Sequence, residues 1–239
     1  MNPDSSDQKR KERVYKFYDN FAKNYDENRY ASKDQKNNDL LAKHIALDFV
    51  KEAKGKKILD LGCGTGRFVE FFTSKGAQVT GSDSSKNMLE IAKKKVPTAT
   101  FVKADIFSLP FEDKTFDIVI CSQVLTHLHS YEKPLSEMKR VIKDGGIIII
   151  DIRNMLWPYR FMTIIKRFLT GANEDYQPDY VSIWKIKKIC NRIGLKISDF
   201  RGAGLPVRGD RQIEKEINKS NSKLKYIAPT LIIKIVKAR

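Results

Sequence analysis

The chain is poor in cysteine, and its few cysteines are far apart. Only Cys63, Cys121 and Cys190 occur, with no CxxC pair and no cluster of cysteine and histidine. An odd number of widely spaced cysteines provides no disulfide framework, and their spacing does not indicate a metal site. We therefore expect a chain that works in the reducing cytoplasm and uses no metal.

Long apolar runs are also missing, and acidic residues are scarce relative to basic ones. No stretch approaches the roughly 20 apolar residues of a transmembrane helix, and the first residues, Met1 to Asp7, are polar. The sequence therefore predicts neither export nor a membrane-spanning segment. The 45 Lys and Arg residues against 29 Asp and Glu residues give a formal net charge of +16. This charge suits RNA or an anionic membrane surface as a partner, and it equally suits a solvated surface.

Two helices are predicted before the first strand. Apolar and aromatic side chains recur every three or four positions from Val14 to Tyr25, and a second such pattern runs from Asn38 to Ala53, where Gly55 is placed to end the helix. We assign residues 1–56 to N-terminal helices over a ligand site and 57–239 to the core. Because 239 residues with 41% hydrophobic side chains suffice for one core, we expect a single domain.

Short apolar runs alternate with helical patterns from Lys57 onward. Strands separated by helices form parallel βαβ units, so the sequence predicts a doubly wound α/β fold with helices on both faces of the sheet. Ligands of such sheets bind beyond the carboxyl ends of the strands. The predicted strands are Ile58–Leu61, Val79–Gly81, Thr100–Val102, Ile118–Cys121 and Ile147–Asp151, with further strands near Leu195 and Pro229.

The first strand runs into a glycine-rich turn that is typical of nucleotide binding. In Asp-Leu-Gly-Cys-Gly-Thr-Gly, residues 60–66, the glycines let the backbone approach a ligand, and the helix that follows supplies free N–H groups. A dinucleotide fingerprint would need its third glycine at position 67, where this chain has Arg67. A dinucleotide-dependent oxidoreductase stays an alternative that this arginine disfavours.

Two acidic residues at strand ends complete a nucleotide-binding pattern. Asp83 ends the second predicted strand, where a carboxylate can accept both hydroxyls of an adenosine ribose. Its alternative role is a helix N-cap, which Ser84 or Ser85 could equally fill. Asp105 ends the third predicted strand and could accept from an adenine amino group.

Together these residues resemble the class I S-adenosylmethionine-dependent methyltransferases, in particular their small single-domain type. Residues 60–66 look like the family's first motif, Asp83 like its ribose-binding acid, and Asp105 with Ile106 like its adenine-flanking pair. Residues 116–127 and 141–146 are similar to its fourth strand and to the turn before its fifth. The resemblance implies a mostly parallel, seven-stranded, Rossmann-like sheet whose last strand, here Thr230–Val236, is antiparallel. It also implies S-adenosyl-L-methionine as the cofactor and S-adenosyl-L-homocysteine as the product.

The resemblance also extends to an N-terminal segment that commonly folds over the cofactor and donates a tyrosine. Tyr18 and Tyr25 match this segment, with helix packing as the alternative role. The predicted cofactor-binding residues are Asp60, Gly62, Cys63, Gly64, Gly66, Asp83, Ser84, Met88, Asp105, Ile106, Cys121, Ser122, Tyr18 and Tyr25.

One histidine is a candidate catalytic base. Methyl transfer from a sulfonium is an in-line displacement that depends mainly on positioning, and a base is needed only where the acceptor carries a proton. His127 lies just beyond the fourth predicted strand. The alternative for His127 is a structural role in the loop. His129 is a second histidine close by in the same loop.

The sequence favours a small-molecule acceptor, lipid-like and methylated on oxygen or nitrogen. Within a predicted cap insertion, 153–181, the segment Met155 to Leu169 is apolar and basic, which suits an anionic membrane surface, an apolar substrate or simple packing over the sheet. Methylases of base amino groups usually carry Asn/Asp-Pro-Pro-Tyr after the fourth strand, where this chain has Cys-Ser-Gln-Val. Methylation of other RNA positions is the alternative. We expect a cytoplasmic protein, with a peripheral position at a membrane left open, and the oligomeric state is not predicted.

Overall fold

The computed structural model describes residues 3–128, 130–158, 179–204, 226 and 228–238. Most of the predicted cap, residues 159–178, and His129 lie outside the described residues. The side chains of residues 3–11 and 34 do so as well. The described elements are α1 (Pro3–Phe21), a 3₁₀ turn (Ala22–Asn24), α2 (Tyr25–Arg29), α3 (Lys33–Val50), β1 (Lys57–Leu61), α4 (Arg67–Thr73), β2 (Gln78–Asp83), α5 (Lys86–Lys95), β3 (Thr100–Lys103), β4 (Phe116–Cys121), a second 3₁₀ turn (Leu125–His127), α6 (Glu132–Val141), β5 (Ile142–Asn154), β6 (Tyr180–Val181), α7 (Ile183–Arg192), β7 (Leu195–Ala203) and β8 (Thr230–Lys237).

The strands form one mixed sheet in the order β3-β2-β1-β4-β5-β8-β7. Strands β1 to β5 pair in parallel, whereas β8 is antiparallel to both of its neighbours, β5 and β7. The two-residue strand β6 pairs with the carboxyl end of β5. The predicted fold class is therefore confirmed, including the antiparallel last strand, and β6 adds a short eighth strand.

Each face of the sheet is covered by a different set of helices. Alternate residues of a strand point to opposite faces: in β4, Ile118 and Ile120 pack with side chains of α3, α4 and α5. Val119 and Cys121 pack with side chains of α6 and α7 on the other face. Because both faces are buried, the central strands carry near-continuous apolar runs, such as Ile118–Cys121 in β4, rather than alternating apolar and polar residues.

The N-terminal helices differ from their predicted bounds. The helix predicted to reach Tyr25 ends at Phe21, because the chain turns at the buried Ala22 and restarts at Tyr25 as α2. Helix α3 begins earlier than predicted, at a reciprocal cap in which the Ser32 side chain accepts from the Gln35 backbone and the Gln35 side chain accepts from the Ser32 backbone. None of the described helices has both the length and the apolar character needed to cross a bilayer.

Candidate functional site

A cleft with a cavity volume of about 110 Å³ lies beyond the carboxyl ends of the central parallel strands and below helices α1 and α2. This is the edge where open α/β sheets bind their ligands. The residues that line the cleft are Val14, Tyr15, Tyr18, Tyr25, Leu61, Gly62, Cys63, Gly64, Thr65, Arg67, Asp83, Ser84, Met88, Ala104, Ile106, Ser122, Gln123, Val124, His127 and Leu128.

The floor of the cleft is the backbone of the turn between β1 and α4. Gly62 has a φ of 73°, and a Cβ there would lie 2.2 Å from a methyl group of Val124, so no other residue fits. Gly64 has a φ of 53°, and a Cβ there would meet nothing within 4 Å. Because Gly64 also lines the cleft, this turn offers bare backbone to a ligand.

The Asp83 carboxylate at the end of β2 is held beside this turn by backbone donors. Its two oxygens accept from the Gly64 and Ser85 N–H groups, each at 2.9 Å. Burial nevertheless raises the pKa of Asp83 above its ordinary value. A carboxylate oxygen has more than one acceptor position, so Asp83 can bind further donors from a ligand in the cleft.

Asp60 lies beneath the floor rather than in the cleft. Only 2% of its surface is exposed, and burial raises its pKa to about 7 despite the nearby Arg67 guanidinium, with Asp83 adding to the increase. Its Oδ2 atom has no hydrogen-bond partner among the described residues. Two carboxylates with raised pKa values, Asp60 and Asp83, therefore form an environment that a cationic ligand would stabilise.

The roof of the cleft is fastened to the sheet by aspartates of the N-terminal segment. Asp26 of α2 accepts from the Thr65 hydroxyl at 2.6 Å and from the Lys95 ammonium at 2.7 Å. Asp19 of α1 accepts from the Ser85 hydroxyl at 2.6 Å. The fastenings therefore join the roof to the turn before α4, through Thr65, and to both ends of α5, through Ser85 and Lys95.

Two tyrosines of α1 also connect the roof to the sheet edge. The Tyr15 hydroxyl donates to Asp105 at 3.2 Å. Asp105 itself lies outside the cleft, in a neighbouring depression. The Tyr18 hydroxyl lies 3.0 Å from Nε2 of His127. Burial raises the pKa of Tyr18, so the phenol stays protonated at neutral pH. His127 is buried and lines the cleft.

Arg67, the residue that breaks the dinucleotide fingerprint, begins a buried polar network. It is ion-paired with Asp39 of α3, and its second terminal nitrogen donates to the Ser122 hydroxyl at 2.6 Å. Lys43 also pairs with Asp39, at 2.9 Å. Burial acts to raise the pKa of Asp39, but the cations outweigh it and the pKa is lowered. Removing Asp39 would leave the Arg67 charge buried without its ion-pair partner.

The same network continues through the ends of β4 and β5 and returns to the roof. Ser122 donates to Asp151 at 2.5 Å, and the Gln123 N–H donates to the same carboxylate at 2.6 Å. The Gln123 side chain in turn accepts from Arg29 of α2 at 2.7 Å. Gln123 takes a φ of 60°, which is uncommon outside glycine. The network fixes the loop after β4, on which Ser122 and His127 border the cleft.

Most of the residues predicted from the sequence meet at this cleft. Cys63, Ser84, Met88, Ile106 and Ser122 line it, as do Gly62, Gly64, Asp83, Tyr18, Tyr25 and His127. Asp60, Gly66, Asp105 and Cys121 do not: Asp60 and Cys121 are buried below the floor, Gly66 caps α4, and Asp105 is bound by Tyr15. Asp39, Asp151 and Arg29 were missed, since no local motif marks residues that meet only in the folded chain.

Comparisons with known proteins agree with this geometry. Residues 59–150 match the family model described as "Methyltransferase domain". A demethylmenaquinone methyltransferase of Staphylococcus aureus is 36% identical over 185 residues, which cover 70% of this chain and 76% of that protein. A second one, from Staphylococcus epidermidis, is 36% identical over 153 residues, which cover 61% of this chain and 62%, less than two thirds, of that protein.

A solved structure supports the fold independently. The magnesium protoporphyrin IX methyltransferase of Synechocystis PCC 6803 with bound SAH superposes with a TM-score of 0.63, covering 87% of this chain and 88% of that chain at 19% identity. At this identity the likeness concerns the fold alone. With the family model and the relatives, it identifies the class: the chain belongs to the class I S-adenosylmethionine-dependent methyltransferases.

Proposed function

We propose that this chain transfers the methyl group of S-adenosyl-L-methionine to a small, lipid-like aromatic acceptor. The observation that carries the proposal is the cleft itself, in which a bare glycine turn, a half-buried strand-end carboxylate and a histidine border one space. Family membership and the relatives named demethylmenaquinone methyltransferase support it further.

The residues of the cleft fit this cofactor chemically. Asp83 has acceptor positions for the two ribose hydroxyls, and Ile106 and Met88 supply apolar surface for the adenine. Near the turn, burial raises the pKa values of Asp60 and Asp83, so a sulfonium group bound there would stabilise their charged forms. When bound, the cofactor contributes an electrophilic methyl group; no metal is part of the proposal.

The protein's own contribution is positioning and proton removal. Holding nucleophile, methyl carbon and sulfur in line in a dry site can lower the barrier by roughly 7–11 kcal/mol. If the acceptor carries a hydroxyl proton, His127 can take it, and the Tyr18 hydroxyl at 3.0 Å fixes the position of the imidazole. Deprotonation of an aromatic hydroxyl spreads negative charge over oxygen and ring carbons, so it activates either atom toward the methyl group.

The relatives favour one acceptor class over the others. Demethylmenaquinone is a quinone, and in its reduced form such a ring carries the hydroxyls that His127 would deprotonate. The cleft offers much apolar lining, including Val14, Leu61, Val124 and Leu128, which suits an aromatic ring better than a phosphate-rich RNA. We therefore place RNA methylation second.

A labelling experiment tests the proposed function. The purified protein is incubated with methyl-labelled cofactor and with a reduced quinone, a total lipid fraction or total RNA, and the label is followed in each. We expect incorporation into the quinone or the lipid fraction. Incorporation into RNA alone, or no binding of the cofactor by calorimetry, would contradict the proposal.

The role of His127 is tested by His127→Ala. Loss of a positioned base should lower kcat by about 10²–10⁴-fold and leave cofactor affinity nearly unchanged. Tyr18→Phe removes only the hydroxyl and should have a smaller effect, because the ring still packs on His127 with 5.3 Å between ring centroids. Turnover of His127→Ala at the wild-type rate would assign His127 a structural role.

A further inference from the structure

Helix α7 exposes an aromatic side chain among cations. Ile183, Ile186 and Ile189 are buried against the sheet, whereas Trp184 is 55% exposed. Lys187 and Lys188 follow Trp184 at the third and fourth positions, so the three side chains share one outward stripe of the helix. The helix has no acidic residue from Ile183 to Arg192, and Lys185 is exposed beside the stripe.

The charges of this stripe are not neutralised within the described residues. Arg192 pairs with Glu132 at 2.7 Å, and the Lys185 ammonium lies 5.0 Å from the centre of the Tyr131 ring. No ion pair is found for Lys187 or Lys188 in the described part of the chain. The stripe is therefore positive and complementary to an anionic surface.

Helix α7, which carries the stripe, begins at the same edge of the sheet as the cleft. Strand β6, just before α7, pairs with Arg153 and Asn154 at the carboxyl end of β5. The N–H of Asp179 donates at 2.6 Å to the carbonyl of Thr126, the residue before His127. Next to β6, Met155 and Leu156 are 44% and 40% exposed, and the Met155 N–H donates to the Val181 carbonyl.

We propose that Trp184, Lys187 and Lys188, together with Met155 and Leu156 next to β6, form a bilayer-binding face that docks on anionic phospholipid. Tryptophan favours the boundary between lipid headgroups and acyl chains, and lysines near an anionic surface add about 1 kcal/mol each, or about fivefold in affinity. An RNA partner would use the lysines but would leave Met155 and Leu156 without a role. The face takes its purpose from the proposed function, since a docked chain would receive a lipid-like acceptor at the edge that carries His127.

Vesicle binding tests the inference separately from methyl transfer. Vesicles of equal parts phosphatidylglycerol and phosphatidylcholine are compared with pure phosphatidylcholine in a sedimentation assay without cofactor. We expect binding to the anionic vesicles only, weakened by salt. Lys187→Gln with Lys188→Gln should weaken it about 25-fold. The matched control, Lys93→Gln with Lys94→Gln, removes two exposed lysines from α5 on the opposite face of the sheet and should change binding much less.

The two tryptophans of the chain allow a direct optical test. Trp157→Phe leaves Trp184 as the only tryptophan, and its emission should shift to shorter wavelength when anionic vesicles are added. Trp184→Ala should weaken vesicle binding, with thermal unfolding confirming that the variant is folded. An unshifted emission, or equal loss of binding in both lysine pairs, would overturn the inference.

Failure of this inference and failure of the proposed function give different results. A chain that binds the cofactor and methylates a quinone in detergent, but ignores anionic vesicles, loses only the bilayer-binding face. A chain that binds vesicles through α7 but does not bind the cofactor loses only the proposed function. If the α7 lysines bound a homopolymeric RNA and the chain did not bind vesicles, the partner of this face would be a nucleic acid rather than a membrane.

Discussion

The floor and the roof of the cleft are built on different principles. The floor is backbone, namely the turn with Gly62 and Gly64 together with Asp83, whose oxygens are held by N–H groups. The roof is side chain: α1 and α2 are fastened through Asp19 and Asp26 to groups 39 to 69 positions away in the sequence. A backbone floor is rigid because the sheet fixes it, whereas a roof held by a few side-chain bonds can open.

This difference indicates a division of labour. We expect the floor to define what binds, because its geometry follows from strand pairing and cannot adjust without disturbing the sheet. We expect the roof to control access, because charge-assisted bonds at its partly exposed edge each contribute a modest free energy. Substitutions in the floor should therefore change affinity itself, and substitutions in the roof should mainly change the rate of release.

Asp83→Ala is expected to have the largest effect. It removes the proposed acceptor for two ribose hydroxyls, and hydrogen bonds to a charged group contribute about 1.5–3 kcal/mol each. Cofactor affinity measured by calorimetry should fall about 10³-fold or more. Asp83→Asn keeps one acceptor oxygen, so its cofactor affinity should lie between that of the wild type and that of Asp83→Ala. A cofactor affinity of Asp83→Ala equal to that of the wild type would show that Asp83 does not bind the cofactor.

Asp60→Asn tests the buried carboxyl beneath the floor through the pH dependence of stability. The pKa of Asp60 is about 7 in the folded chain against an ordinary value of 3.8, so between these two values the folded chain holds a proton that the unfolded chain has released. Its contribution to stability is therefore lost as pH rises from about 4 to about 7, by on the order of 3–4 kcal/mol. Urea unfolding at pH 4.5 and 7.5 should show this loss in wild type and a flatter dependence in Asp60→Asn.

Asp117→Asn serves as the control of opposite sign. Burial at Asp117 is outweighed by hydrogen bonds from Lys143 and the Lys57 backbone, and its pKa is lowered. Asp117 therefore adds stability above its ordinary pKa and loses it as the pH falls. If Asp60→Asn lost as much unfolding free energy as the wild type between pH 4.5 and 7.5, the buried Asp60 carboxyl would not be the source of that loss.

Asp26→Asn probes the roof and is expected to have the smallest effect. It weakens the bonds from Thr65 and Lys95, each worth about 1 kcal/mol at a partly exposed site. Stopped-flow release of the cofactor should become about tenfold faster, with little change in association. Glu27→Gln, an exposed neighbour on the same helix, should leave release unchanged. Equal rates in both variants would mean that Asp26 does not hold the roof.

The floor could be predicted from the sequence because its signals are local. Glycines at fixed spacing after an apolar strand, and an acid at the end of the next strand, specify a turn and a carboxylate regardless of the rest of the chain. Helices over the site were predicted from the sequence, but the aspartates that fasten them and the network around Arg67 could not be predicted, since Asp39, Ser122 and Asp151 are brought together only by folding. A lone arginine in a motif gives no indication of its partners.

Element bounds were least predictable where polar residues interrupt a pattern. Strand β5 was predicted to begin at Ile147 but begins at Ile142, because its first residues include Gly145 and Gly146, which weaken a strand pattern. Conversely, the aromatic periodicity through Phe21 and Tyr25 predicted one helix where the chain makes a turn. The periodicity of apolar side chains indicates which face of a segment is buried, but it does not indicate where the chain changes direction.

The position of β8 has a consequence for how the polypeptide is made. Because β8 lies between β5 and β7, neither neighbour can complete its pairing until this late segment has been synthesised. Before then, two strand edges with unsatisfied backbone groups are open to other chains. A nascent or C-terminally truncated polypeptide is therefore most prone to aggregate. A chaperone bound to either unpaired strand edge would protect it at this stage.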